Sequence, residues 1–570
     1  MTIDLARRLA LALGLTLAAS AASAQDSGPP PGVSYGVTAD QGASPDAGAP
    51  ESLRDGDGNP RAPEGARQRR RAEFAPYLEV AAGISSEFGG DTLTYSTVAA
   101  GVDGRIETRR VTAVLSYRYD RNIELSGDIP DQDSHSGVAL VNVQVARGVQ
   151  FDAGALATRT GGQGRAFGVT EQDDTVEVYS AYAGPTVATH AGPVAINGSY
   201  RLGYTAIDDD SVAGGTADGY DSSLSHSATA SVGMAPGQLP FGWTVGGGYV
   251  RSDSDSEFED RFEGQYVRGD VVVPVGPTLA LTAGVGYERI RSSQNDLVRD
   301  AGGIPVLNPQ GRPVADPNAP RLLTYDVDGL IYDGGVIWRP TPRTELQARA
   351  GHRYGGTTVV GSLSHRFNNS YGLGAVVYDS VETFGTSLSN DLSSLPDDFQ
   401  AVRNPLTGDL AACGFGATPG SGRCIDRSLQ SIRGQTFRAR GGSIVFSGSR
   451  NLWSFGAGAS YDNRRYQRPN DPAFALLGSG REENYSLFAS VGRQLSRTSD
   501  VNLSAYASWF DGNQTGIDRI FSTGATASYS RRFLLDRLQL QAALGINHSD
   551  DGVEDSTIAS GLAGLRYTFW

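Results

Sequence analysis

Apolar residues alternate with small or polar residues over most of the chain, from residue 74 onward. One segment carries its apolar side chains in a single phase, at Leu279, Leu281, Ala283, Val285 and Tyr287. The same pattern recurs over residues 453–462, 501–509 and 538–547. A period of two is that of a β-strand with two unlike faces. Strands of soluble sandwiches usually have about 5–6 residues, so these longer segments match tilted strands that cross a bilayer.

The connections between these segments are of two kinds, which alternate along the chain. One kind is short, as at 108–109, 147–148 and 276–277, and the other is mostly longer and acidic or glycine-rich, as at 293–320 and 385–429. Short turns alternating with long loops are typical of outer-membrane barrels. Ten turns and eleven loops predict an all-β fold, a single antiparallel transmembrane β-barrel of 22 strands, with 16 to 22 as the accepted range.

The N-terminus has the three parts of a secretory signal peptide. Arg7 and Arg8 precede the short apolar run 9–19, and the small residues 22–24 form a cleavage site. The alternative is an apolar helix of a cytosolic protein. The residues that follow are rich in Pro, Gly, Ala and Asp and cannot bury a core, so we expect a disordered periplasmic tail. The sequence therefore predicts a signal peptide at 1–24, a tail at 25–73 and an outer-membrane barrel at 74–570.

The composition restricts the possible chemistry and partners. All 48 basic residues among the 570 are arginine, and 63 acidic residues give a net charge of −15. A chain without lysine excludes a Schiff-base lysine and the phosphate-binding lysine of a P-loop. The negative charge argues against nucleic acid as a partner, because nucleic-acid-binding proteins carry a basic face.

The sequence contains no recognisable catalytic, metal-binding or cofactor-binding motif. None of the six histidines has the spacing of a metal site, and G-x-S-x-G, HExxH and CxxC motifs are absent. We therefore predict a protein that is not an enzyme and has no cofactor or metal. The alternative is an outer-membrane hydrolase with a dyad from separate strands or from sequence neighbours. The candidate neighbours are His365 with Ser362 and Ser364, and His226 with Ser225 and Ser227.

Charged residues occur in the phase opposite to the apolar residues, which we assign to the lumen. Charges at membrane depth must face water or each other. The predicted lumen-lining charges are Arg118, Asp120, Arg201, Glu288, Arg349, Arg353 and Asp462. They form either a ladder of arginine–carboxylate pairs that stiffens the wall or a charged lining that selects solutes.

The two cysteines, Cys413 and Cys424, lie close together in a glycine-rich stretch. In an exported protein such a pair predicts a disulfide, which would stabilise this loop by roughly 3 kcal/mol. The alternative is a metal site, but zinc would need two further ligands and no histidine lies nearby in sequence.

The same cysteines belong to the longest predicted loop, 385–429, which also carries apolar residues. A barrel of 18 or more strands has a lumen wide enough for an aqueous channel, so something must narrow it. We hypothesise that this loop folds inward or over the mouth and gates the channel. The alternative is a flexible surface loop.

The C-terminus adds an independent signal of a barrel. The last strand ends in aromatic residues, and the candidate assembly signal is Leu565, Tyr567, Phe569 and Trp570. It resembles the terminal strand by which the barrel assembly machinery recognises outer-membrane barrels. With the signal peptide, the tail and Tyr-Arg-Tyr strands such as residues 116–119, the chain resembles outer-membrane porins, most closely the beta-barrel porin type 2 family. That resemblance implies a conduit for surface polysaccharide and a periplasmic polysaccharide-export protein as partner.

The predicted function is therefore a pore or export conduit in the cell outer membrane, surrounded by outer-membrane lipid. One alternative is a TonB-dependent receptor, which needs a folded plug ahead of the barrel. Residues 25–73 are too few and too polar to form such a plug. The others are an outer-membrane hydrolase and a structural or adhesin barrel without transport.

Overall fold

A computed structural model gives the structure of most of the predicted barrel. It describes residues 71–90, 92–126, 132–161, 175–208, 220–308, 314–395, 399–400, 403–410, 413–416, 420, 422–424, 426–469, 474, 480–512, 519–552 and 555–569. The predicted signal peptide and nearly all of the predicted tail lie outside these residues, so both stay predictions.

The described residues form long strands joined by turns, with a few short elements in the connections. In chain order these are β1 (Arg71–Glu87), β2 (Thr92–Glu107), β3 (Val111–Ser126), β4 (Gln132–Ala146), β5 (Val149–Thr160), β6 (Val176–Ala191), β7 (Val194–Asp208), β8 (Tyr220–Met234), β9 (Gly242–Ser256), β10 (Arg261–Pro274), β11 (Leu279–Gln294), β12 (Asp296–Leu297), β13 (Ala315–Asp316), β14 (Leu322–Thr341), β15 (Thr344–Arg353), β16 (Gly356–Arg366), β17 (Tyr371–Glu382), α1 (Phe384–Ser393), β18 (Phe399–Gln400), β19 (Cys413–Gly416), β20 (Gly422–Cys424), α2 (Asp426–Leu429), β21 (Phe437–Arg450), β22 (Trp453–Tyr466), β23 (Arg481–Ser496), β24 (Ser499–Asp511), β25 (Ile520–Phe533), β26 (Leu538–Asp550) and β27 (Asp555–Thr568).

All of these strands except β12, β13, β18, β19 and β20 belong to one antiparallel sheet of 22 strands. The sheet closes on itself because β1 pairs with β2 on one side and with β27 on the other. The closing register runs from Tyr77 opposite Thr568 to Glu87 opposite Ile558. The predicted all-β barrel of 22 strands is thus confirmed, and its first strand begins at Arg71, three residues before the predicted boundary.

Short turns join the strands at one end of the barrel, which we call the turn end. The longer connections lie at the other end, the loop end, and both ends of the barrel chain lie at the turn end. In outer-membrane barrels the short turns face the periplasm and the longer loops face the outside. The longest connection joins β17 to β21 and spans residues 383–436, which we call the inserted segment.

The two faces of the sheet differ as the period of two requires. In β11 the outward side chains are apolar, with Leu281 47% and Val285 60% exposed. The inward Thr282 and Glu288 are only 5% and 1% exposed. An apolar outer face suits lipid, because strands of outer-membrane barrels alternate apolar-out and polar-in. The chain is therefore an outer-membrane β-barrel.

The last strand presents the predicted aromatic end on the outer face. Leu565, Tyr567 and Phe569 are 50%, 38% and 47% exposed, and Trp570 lies outside the described residues. The backbone N–H of Phe569 donates to the carbonyl of Pro76 at 2.8 Å, so the closing seam continues past the end of β27. The end of the chain therefore belongs to the seam between the first and last strands.

Replacing Phe569 and Trp570 together by serine should impair assembly, because interfacial aromatic residues anchor a barrel at the membrane surface. The amount of heat-modifiable barrel in the outer membrane measures the effect. Leu535→Ser is the matched control, because Leu535 is 94% exposed in a turn at the same end but outside the terminal strand. Wild-type amounts of folded double variant would refute the assembly role.

Candidate functional site

One sector of the inner wall is apolar, although the inside of such a barrel is usually polar. Strands β4, β5 and β6 carry buried inward residues that pack in one cluster. These are Val138, Leu140, Leu156, Val176 and Val178. Apolar side chains facing an aqueous lumen would lose the stabilisation that burial gives, about 25 cal/mol per Å². Something must therefore cover this sector from inside.

Helix α1 of the inserted segment covers it. Phe384, Leu388 and Leu392 recur every four residues, so they share one face of the helix, and all three are at most 1% exposed. They join the same cluster as the apolar residues of the wall. The helix begins at a capping box, in which Thr383 accepts from the backbone N–H of Thr386. The longest loop therefore folds into the lumen and is packed there as a helix.

Glycine allows the helix to approach the wall closely. A Cβ atom at Gly203 of β7 would lie 2.8 Å from the Oγ of Ser389 and 3.4 Å from its Cβ. A Cβ at Gly385 of the helix would collide with the Oγ of Ser223 in β8. The helix and strands β7 and β8 are thus fitted to one another at two points.

A second part of the inserted segment, residues 403–410, is held by arginines. Arg159 of β5 donates from Nε and Nη2 to the two carboxylate oxygens of Asp409, at 3.1 and 3.0 Å. Both side chains are buried, at 5% and 6% exposure. Arg403 donates to the carbonyl of Ser136 at 3.2 Å and to the Oγ of Ser116 at 3.1 Å. These contacts attach the turn to strands β3, β4 and β5.

The same turn also reaches the opposite side of the closing seam. Leu406 packs against Ala81 of β1, Ala543 of β26 and Leu562 of β27. The roles of Arg159, Arg403 and Asp409 were not predicted from the sequence. Their partners lie up to 287 positions away in sequence, so no local pattern could pair them.

The end of the inserted segment is bound to still other strands. Arg433 pairs with Glu482 of β23 at 3.1 Å, and the Oγ of Ser431 donates to the same carboxylate at 3.0 Å. The hydroxyls of Thr436 and of Ser292 in β11 lie 2.7 Å apart. The inserted segment therefore lies within the lumen and contacts inner-wall residues on both sides of the barrel.

A buried carboxyl group lies beside the inserted segment near the loop end. A Cβ at Gly434 would lie 3.1 Å from the Oδ2 of Asp260, in the connection between β9 and β10. Burial raises the pKa of Asp260 to about 6, and Ser256 donates to it at 3.0 Å. Since folding raises this pKa from 3.8 to about 6, the protonated carboxyl group stabilises the folded state, and this stabilisation is lost as pH rises to about 6. Acidification from pH 7 to pH 5 should therefore stabilise the folded state, which a higher unfolding temperature would show.

The predicted lumen charges lie on the inner face, and most are paired. Arg118 contacts Glu79 at 2.8 Å and Asp120 at 2.7 Å, and Arg353 contacts Glu288 at 3.1 Å. The other pairs are Arg349 with Asp270 at 2.6 Å and Asp333 at 3.3 Å, and Asp462 with Arg464 at 2.8 Å. This geometry favours the ladder of paired charges over an unpaired selective lining at these positions.

Arg201 differs from the other predicted lumen charges. It has no carboxylate partner among the described residues, and its Nη1 donates to the Oγ of Ser393 at the end of α1, at 3.2 Å. It lines a cavity between the helix and the wall, together with Tyr182, Ser199, Ser225, Tyr249, Ser389 and Asn390. The cavity has about 30 Å³ of free space, so it holds little more than a water molecule while the helix is docked.

The imagined serine–histidine neighbours do not meet, because successive residues of a strand point to opposite faces. His226 bonds the hydroxyl of the outward Tyr200 at 2.8 Å, whereas Ser225 is buried on the inner face. His365 likewise bonds Thr344, at 2.7 Å. Within the described ranges, no group of three or more His, Cys, Asp or Glu could hold a metal ion. No helix of those ranges is both long and apolar enough to cross a membrane.

The backbone of the two cysteine-bearing strands fits the predicted disulfide. Strands β19 and β20 are antiparallel, and Cys413 lies directly opposite Cys424. Directly opposite Cα atoms are about 4.5–5.5 Å apart, within the range that disulfides span. The side chains of both residues lie outside the described part, so the bond stays a prediction.

Comparison with known proteins gives matches to solved structures only. No family model matches the chain, and no curated protein matches it. It is similar to the FrpB iron transporter from Neisseria meningitidis, with 10% identity, a TM-score of 0.45, and 87% of this chain and 83% of that chain covered. It is also similar to the ferric-catecholate import receptor Fiu from E. coli K12, with 9% identity, a TM-score of 0.44, and coverages of 88% and 82%. A third similar structure is the alcaligin outer-membrane receptor FauA from Bordetella pertussis, with 12% identity, a TM-score of 0.38, and coverages of 88% and 77%.

Proposed function

We propose that the chain is an outer-membrane conduit that its own inserted segment closes. The observation that carries this proposal is the helix α1 packed inside the barrel, with Leu388 fully buried against the inner wall. A barrel of 22 strands needs such an obstruction, because an unfilled lumen of this size would leak small solutes. Closure by a segment of the barrel chain removes the need for a separate plug ahead of β1.

The contacts between the inserted segment and the wall are compatible with a gate that moves, not only with a permanent plug. Between the helix and strands β7 and β8, the close approach at Gly203 involves a serine hydroxyl, and Arg201 makes a single hydrogen bond to Ser393. Net hydrogen-bond contributions are about 0.5–1.5 kcal/mol each, so displacement of the helix costs mainly its apolar contacts. A solute that replaces these contacts could therefore shift the segment.

A surface polysaccharide is the solute that we propose. If the helix moves, the side chains that it covers on the wall offer hydroxyl, tyrosine and arginine groups, which complement a chain of sugar hydroxyls. This assignment agrees with the resemblance to the beta-barrel porin type 2 family. It implies two partners, the barrel assembly machinery during biogenesis and a periplasmic polysaccharide-export protein during transport.

A disulfide that locks the helix to the wall tests the gate. Gly203→Cys and Ser389→Cys would place two Cβ atoms about 3.4 Å apart, close to the spacing of about 3.5–4.5 Å in disulfides. Cys413 and Cys424 are changed to serine in this variant to leave a single thiol pair. Oxidation should abolish channel openings in a planar bilayer, and a reductant should restore them.

Ser389→Cys alone, in the same background, is the control and should respond to neither treatment. The gate is refuted if the oxidised, cross-linked double variant conducts as the reduced one does. Cross-linking itself is verified by a mobility shift after proteolysis between the two sites.

A further inference from the structure

A row of arginines crosses three adjacent strands on the outer face at the loop end. Arg438 of β21 lies directly opposite Arg465 of β22, and Arg465 lies directly opposite Arg481 of β23. Arg440, two positions along β21, faces the same side. We call these four residues the arginine row. They stand out because the whole chain carries a net charge of −15.

Nearby carboxylates balance only part of this charge. Asp379 accepts from Arg438 at 2.8 Å and from Arg440 at 3.2 Å, and Glu483 pairs with Arg481. Four arginines and two carboxylates leave a local charge of 4 − 2 = +2. Like charges directly opposite each other destabilise a sheet. The row therefore has an electrostatic cost that an anion would remove.

Arg465, at the centre of the row, is the residue with unused donors. Its side chain is exposed and makes no hydrogen bond or ion pair with the described residues, since Gln467 contacts only its backbone carbonyl. Arg440 and Arg481 beside it are 50% and 62% exposed, so their guanidinium groups are also accessible. Guanidinium groups bind phosphate through two parallel hydrogen bonds.

The position of the arginine row along the strands indicates its depth in the membrane. The outward Tyr461 and Tyr485 lie four residues closer to the barrel centre along β22 and β23, and their tilted rings have centroids 4.8 Å apart. Beyond them the outward surface is apolar, at Leu487 and Ile444. Aromatic residues mark the boundary between the hydrocarbon and the headgroups. The arginine row thus lies at the level of the lipid headgroups. Because it lies at the loop end, which faces the outside, these headgroups belong to the outer leaflet.

We infer that the arginine row binds the phosphate groups of a phosphorylated glycolipid in the outer leaflet. The three strands set the spacing of the guanidinium groups, and the tyrosines below pack against the start of the acyl chains. The bound phosphates neutralise the excess charge of the row. This inference goes beyond the proposed conduit and does not depend on it.

Binding of lipid A to the full-length protein in detergent tests the inference. Thermophoresis measures the Kd for diphosphoryl lipid A, for its dephosphorylated form and for inorganic phosphate. The variant is Arg465→Gln with Arg481→Gln. Loss of two charge-assisted contacts should weaken binding of the diphosphoryl lipid by about tenfold or more. The dephosphorylated lipid should bind wild type and variant equally weakly.

The control is Arg493→Gln, on the same outward face of β23 but at the turn end, where Arg493 lies over the Trp453 ring at 4.8 Å. It should bind the lipid as wild type does, and heat-modifiability shows that every variant is folded. Three results would each overturn the inference. These are unchanged binding by the double variant, equal binding of the dephosphorylated lipid, and inorganic phosphate binding as tightly as the lipid.

Discussion

A chain whose residues 384–435 are replaced by a short glycine–serine linker should form an open channel. Glu382 and Phe437 lie directly opposite each other at the ends of β17 and β21, so a few residues suffice to join them. The barrel strands are left intact, and the lumen loses the helix and both anchored turns. We expect single-channel conductance in a planar bilayer to rise by about tenfold or more, since barrels of 16–18 strands already enclose an aqueous channel.

The loop between β11 and β14 provides a matched deletion. Gln294 and Leu322 are also directly opposite each other, so residues 296–320 can be replaced by the same linker. This loop packs at the loop end around Phe258 and Phe474 rather than among the inner-wall strands that hold α1. Its removal should leave conductance unchanged. A linker variant of the inserted segment that stays as closed as wild type would disprove closure by that segment.

Asp409→Asn should release the turn at 403–410 from the wall. It leaves the guanidinium of Arg159 buried without its carboxylate partner, and breaking one partner of a buried pair costs about 3–5 kcal/mol. This cost destabilises the docked state of the inserted segment relative to the undocked state. The fraction of channels that are open should therefore rise by about 100-fold or more. Open probability in a planar bilayer and protease cleavage within the segment both report it.

Two further variants separate charge loss from general damage. Asp253→Asn removes a carboxylate that is 40% exposed and pairs with the exposed Arg251 and Arg261, and such pairs contribute about 0–1 kcal/mol each. It should leave gating unchanged. Arg159→Met with Asp409→Leu replaces the buried pair by apolar groups and should restore closure. If Asp409→Asn gates as wild type does, the ion pair does not hold the segment.

The strands were predictable because each crosses the membrane with one lipid-facing side. In β11 the apolar residues Leu281 and Val285 share one phase, and this alternation alone shows which face of the strand contacts lipid. The strand can therefore be predicted without knowing its neighbours. The number of strands followed from counting turns. The phase also places Glu288 inside, although its partner Arg353 lies 65 positions away and could not be named from sequence.

Two features of the sequence point to helix α1, although neither entered the prediction of the fold. Phe384, Leu388 and Leu392 have the spacing of one helical face. Strand β4 also carries Val138 and Leu140 in its inward phase, which makes the strand apolar on both faces. A strand that is apolar on both faces is covered on both. Together the two signals point to a helix inside the barrel, whereas the ion pair of Arg159 with Asp409 has no local signal.

The attachment of Leu406 has a consequence for the order of folding. This residue packs against Ala81 from the first strand and against Ala543 and Leu562 from the last two. Its pocket therefore does not exist until the chain has closed on itself, although Leu406 lies 568 − 406 = 162 positions before the end of the final strand. Contacts of such long sequence separation form late, since loop closure must precede them. The inserted segment can therefore dock completely only after the first and last strands have paired. In a folding intermediate in which these strands are still apart, the turn that carries Leu406 should remain mobile.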